Sequence, residues 1–80
     1  MLLEYITQAM HKAKYEIIDD EKIFYGEIPG FKGVYSNAPT LEECRDQLEE
    51  VLEEWILFRI SRKLSLPVVN KIELKVKKVA

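Results

Sequence analysis

The chain has 80 residues, 48% of them hydrophobic and 32% charged, with a net charge of −2 at pH 7. That length holds one domain, spanning 1–80, and that composition excludes a disordered chain. The near-neutral charge argues against a protein that coats nucleic acid, which needs a basic surplus or stripe, and Cys44 as the only cysteine excludes an internal disulfide or a cysteine zinc cluster.

No N-terminal basic-then-apolar stretch resembles a signal peptide, and the apolar runs are too short to cross a membrane. The expectation is a cytoplasmic protein with no membrane partner. A domain of this size buries roughly 60% of the surface its unfolded chain exposes. Its core is thin, and association with a second copy would help it.

Residues 2–13 place Leu3, Ile6, Met10 and Ala13 at steps of three and four. The spacing predicts a short helix with one apolar stripe. Residues 14–19, KYEIID, read as a strand with Tyr15 and Ile17 on one side. Asp19-Asp20-Glu21 is a polar turn. Residues 22–28, KIFYGEI, are rich in β-branched and aromatic types and predict a second strand, hairpinned to the first.

Pro29-Gly30 stops that strand, since proline lacks a ladder donor and glycine takes angles other residues avoid. Gly33 opens a third short strand, Val34-Tyr35-Ser36, which Asn37-Ala38-Pro39 ends. Thr40 then has the character of an N-cap, with Glu43 three residues on to complete a capping box. The helix predicted over about 41–63 carries Leu41, Cys44, Leu48, Val51 and Trp55 on its buried face, and Arg59, Arg62 and Lys63 in its last turns. From Val51 to Ile60, apolar residues cover more than half of its circumference. A helix of that kind must be covered on several sides.

Residues 71–78, KIELKVKK, alternate with Ile72, Leu74 and Val76 inward and predict a half-buried strand with a lysine-rich edge. The order is α-β-β-β-α-β, an α+β fold with an antiparallel sheet and helices on one face.

The order of strands, the turn Ile28-Pro29-Gly30-Phe31-Lys32-Gly33 and the helix start Pro39-Thr40-Leu41-Glu42-Glu43-Cys44 together resemble the HicB family of antitoxins. Pro29, Gly30 and Gly33 match the family's turn; Thr40, Glu42 and Glu43 match its helix start. Cys44 stands where alanine is usual, and Ala38-Pro39 replace a common Gly-Asp. The resemblance covers roughly residues 14–62, and the helix before the first strand is a departure from it. It implies a truncated RNase H-like fold. It also implies a partner: a small basic HicA-like toxin, an mRNA interferase neutralised through protein–protein contacts. Too little follows residue 78 for a ribbon-helix-helix, so the expectation is a stand-alone HicB-like domain without a DNA-binding extension.

An RNase H-like fold raises the question of a metal nuclease, which needs three or four converging acids. Asp19, Asp20 and Glu27 are the candidates, but the first two fit a hairpin turn, where Asp bonds its own backbone. His11 has no Ser or Cys placed to use it and reads as a surface residue. Cys44 reads as a small core residue rather than an activated thiol. The chain is therefore read as no enzyme, with no catalytic residue, cofactor or metal ligand. Lys71, Lys75, Lys77 and Lys78 are interrupted by Glu73 and lack an aromatic platform, so no direct nucleic-acid binding is expected.

The expected contact surface is the exposed side of the meander, Tyr25, Phe31 and Tyr35, together with Glu49 and Glu53 on the acidic helix face. Leu57 and Phe58 divide evenly between core and contact surface. The acidic face suits a basic partner, and residues 51–60 suit a homodimer or higher oligomer. The alternative is an orphan oligomeric module of the same fold, without a toxin, acting as a binding or regulatory subunit.

Overall fold

The computed structural model describes residues 2–18, 20 and 22–69. Helix α1 (Leu2–His11) leads into strands β1 (Lys14–Ile18), β2 (Ile23–Glu27) and β3 (Tyr35–Ala38), followed by helix α2 (Leu41–Ser61). The strands form one antiparallel sheet in the order β1-β2-β3. The predicted strand 71–78 lies outside the described residues.

Register decides which side chains meet. Tyr15, Gly26 and Ser36 line up across the sheet, as do Ile17, Phe24 and Ala38. These two rows share the face on which Gly26, Ser36 and Ala38 are buried. Helix α2 lies across that face over β2 and β3. Space is short at Gly26, where an added Cβ would sit 2.8 Å from the Tyr15 ring and 3.2 Å from Cys44 Sγ of α2.

The core is built from Leu48, Leu52 and Ile56 of α2, each at most 1% exposed, with Tyr5 and Ala9 of α1 and Ile28, Val34, Leu66 and Val69 around them. Each such aliphatic side chain contributes about 1.5–3 kcal/mol relative to an exposed one. The buried row of α2 runs through 44, 48, 52 and 56. It therefore differs from the predicted face, because Val51 and Trp55 are only half-buried and Leu41 is 45% exposed. Leu41 stands at the first turn, beyond the end of the packed sheet rows.

Both ends of α2 have a chemical cause. Thr40 accepts the Glu43 amide at 3.1 Å, as the capping box requires. At the other end Lys63 takes a left-handed φ of 57°. Lys63 N donates to Ile60 O and Leu64 N to Arg59 O, the paired bonds of a Schellman motif. The helix thus stops at Ser61, two residues before the predicted limit.

The turn after β2 is two turns in succession. Phe31 N donates to Ile28 O and Val34 N to Phe31 O, both at 3.1 Å. Gly30 (φ 87°) and Gly33 (φ 89°) hold the third position of each, where a type II turn requires positive φ. β3 runs on through Asn37 and Ala38 instead of ending before them; they pair with Tyr25 and Phe24 and keep the ladder intact.

Helix α1 is rotated from the predicted stripe. Tyr5, Ala9 and Met10 are buried, whereas Leu3 is 80% exposed. The Tyr5 hydroxyl donates to the Pro67 carbonyl, 62 residues away, so a distant segment sets which face turns inward. The helix ends at His11 in two tight i→i−3 bonds, Lys12 N to Ala9 O and Ala13 N to Met10 O, short of the predicted residue 13.

Candidate functional site

The sheet face opposite α2 carries Lys14, Glu16, Tyr25, Glu27, Tyr35 and Asn37. Tyr25 and Tyr35 sit diagonally on β2 and β3, with ring centroids 6.2 Å apart and planes at 25°, a stacked pair. Tyr35 is 56% exposed. Glu27 stands directly across from both Lys14 and Tyr35, and Glu16 across from Tyr25. Desolvation pushes the Tyr25 phenol above its ordinary range, and Glu27, Tyr35 and Glu16 push it the same way. The phenol stays neutral and can donate to an acceptor on a partner. Beside the pair is a shallow recess of about 570 Å³ between Tyr25, Glu27, Tyr35 and the turn at Gly30–Gly33.

Phe31 does not belong to this face. It is 4% exposed, with Tyr5 at 6.2 Å and Trp55 at 5.1 Å between ring centroids. The two successive glycine turns send its side chain back under the sheet. Phe31 is therefore a core residue rather than part of the exposed meander.

The outer side of α2 carries a second surface. Glu49, Glu53 and Leu57 follow one another at i, i+4 and i+8, which sets them in one row. All three are exposed, Leu57 at 62%. Ile60, 39% exposed, extends the apolar end of that row. Phe58 is 53% exposed but lies about 100° further round the helix, where the Arg62 guanidinium sits 5.3 Å above its ring. Leu57 and Phe58 thus belong to surface and not to core.

The expected contact residues form two separate groups. Tyr25 and Tyr35 share the open sheet face; Glu49, Glu53 and Leu57 share a helix row on the opposite layer. Sequence reasoning missed the edge: β1 is an edge strand among the described residues, and Ile17 (56%) and Ile18 (44%) are exposed on it. Two β-branched residues together on a strand were the available signal. It also missed a cationic recess between α2 and the glycine turn, where Trp55 donates its indole N–H to Lys32 O at 3.0 Å.

Of the chemical candidates, Asp19 lies outside the described residues. Among the described residues no three His, Cys, Asp or Glu side chains are grouped to hold a metal ion. Cys44 is fully buried, and its carbonyl accepts the Ser36 hydroxyl. His11 is exposed. No helix among the described residues is long and apolar enough to cross a membrane.

A family model described as UPF0150-like matches residues 4–67. The crystal structure of TTHA0281 from Thermus thermophilus is similar to this chain at 37% identity, with a TM-score of 0.88 over 96% of this chain and 95% of that one. No curated protein matches.

Proposed function

This chain belongs to the UPF0150-like family, a HicB-like family, and from that premise we propose that it is an antitoxin domain, a truncated RNase H-like platform that neutralises a small basic mRNA interferase of the HicA type. The observation that carries this reading is the outer row of α2. Glu49 and Glu53 lead without a break into Leu57 and Ile60, so carboxylates and exposed apolar area form one strip. Such a strip complements a basic protein: charge steers the encounter, and apolar burial at Leu57 and Ile60 supplies affinity. The stacked Tyr25–Tyr35 pair offers a second patch on the other layer, of the aromatic type that interfaces favour.

In this role the chain does no chemistry of its own. It acts in the cytoplasm, contacts no nucleic acid directly and covers the toxin's active site by its bulk. The test is co-expression with a HicA-type toxin from the same genome. The chain restores growth, and a Glu53→Lys, Leu57→Asp double variant that still folds does not.

A second reading is supported by the edge of β1. Ile17 and Ile18 are exposed on a strand that lies at the sheet edge among the described residues, a combination that favours strand pairing between copies. On this reading the chain is an oligomeric binding module without a toxin. A homodimer or larger assembly that forms in solution, with no effect on any toxin, is its signature.

A further inference from the structure

We propose that the recess between the C-terminal end of α2 and the turn at residues 29–33 is a carboxylate-binding site, occupied by an acidic side chain or chain terminus of a bound polypeptide. The recess is about 340 Å³ and its lining includes Lys32, Trp55, Arg59, Ser65, Leu66 and Pro67. Among the described residues no carboxylate lines it.

Arg59 is held on two sides. Its Nε donates to the Ser65 carbonyl at 2.7 Å, and its guanidinium carbon stands 4.9 Å from the centroid of the Trp55 ring. Trp55 is itself anchored by its bond to Lys32 O. The guanidinium plane is therefore fixed before any ligand arrives. Its two terminal amino groups have no acceptor among the described residues, and neither has the Lys32 ammonium. A rigid fork with both terminal nitrogens open is the donor geometry that a carboxylate meets in two parallel bonds.

The choice of a carboxylate over a nucleic-acid phosphate follows from the walls. The Trp55 ring already has the Arg59 guanidinium 4.9 Å from its centroid and the Phe31 ring at 5.1 Å, so it is a poor platform for a nucleobase. Leu66 and Pro67 offer apolar surface to a short aliphatic stem. The volume falls at the small end of ligand pockets. The net charge of −2 disfavours a polyanion. The site uses none of the residues of the α2 outer row or the tyrosine pair, so it stands whether or not the partner is a toxin.

The test is an NMR titration of the isotope-labelled full chain with N-acetylglutamate amide and, separately, with inorganic phosphate, at ionic strength held constant with chloride. The expected result is a saturable shift of the Arg59 Nε–H and Trp55 indole N–H signals with the carboxylate, at a Kd on the order of 1 mM. Arg59→Lys, which keeps the charge but loses the fork, weakens this by roughly tenfold as read at Trp55. Lys14→Gln, on the open sheet face, leaves it unchanged. Three results overturn the proposal: no saturable shift in a folded sample, tighter binding of phosphate than of the carboxylate, or an Arg59→Lys protein that binds as well as the original.

Discussion

The hydroxyl of Ser36 donates to the carbonyl of Cys44 at 2.7 Å, joining β3 to the first turn of α2 within an otherwise apolar layer. Cys44 Sγ lies 3.4 Å from the same hydroxyl. Replacing Ser36 by Ala removes a buried donor and leaves the Cys44 carbonyl to its helical partner alone. The expected loss is about 1 kcal/mol, seen as a lower urea midpoint with an unchanged slope.

Gly26 occupies a tight point between the layers. A Cβ there meets the Tyr15 ring at 2.8 Å and Cys44 Sγ at 3.2 Å, so Gly26→Ala forces the helix or the ring to move. Overpacking of this kind costs about 1–3 kcal/mol. Denaturant unfolding measures it, and a Gly26→Ala, Tyr15→Leu double variant should recover part of the loss.

Lys63 adopts the left-handed conformation that glycine holds in most Schellman motifs. The φ of 57° costs a residue with a Cβ about 1 kcal/mol. Lys63→Gly is therefore predicted to raise the unfolding midpoint, provided the contact its side chain makes is weaker than that strain.

Burial pushes the Tyr5 phenol from 10.0 to about 12, with Arg59 pulling the other way. In the unfolded chain the same phenol ionises near 10. As pH rises through 10 the unfolded state loses its proton first, and stability falls until about 12, where the folded state ionises as well. Below pH 10 Tyr5 has no such effect. Ultraviolet titration should show a tyrosine that ionises near pH 12, absent in Tyr5→Phe, and the variant should lose the stability drop in that window. Removing the bond to the Pro67 carbonyl costs it about 1 kcal/mol at neutral pH.

What the sequence disclosed and what it hid divide along the range of the interaction. Thr40 with Glu43, Gly30 with Gly33, and the three-strand meander depend on neighbours a few residues apart, and those expectations match the structure. The inward face of α1 is hidden from local spacing because the Tyr5 hydroxyl is fixed by Pro67 and its ring by Phe31. Phe31 reads as surface because nothing local shows that two consecutive turns reverse its direction. On α2 the acidic row is legible from spacing. The clustering of Lys32 with Trp55 and Arg59 is not, since it joins a turn to a helix position 23 residues on.

The most direct measurement is growth after co-expression of this chain with a HicA-type toxin from the same genome, with and without Glu53→Lys and Leu57→Asp. Both side chains are exposed, so the double variant should unfold within about 1 kcal/mol of the parent. The account predicts recovery of growth with the parent chain and arrest with the variant. Continued arrest with the parent, at levels of folded protein matching the toxin, or equal rescue by the variant, would contradict it.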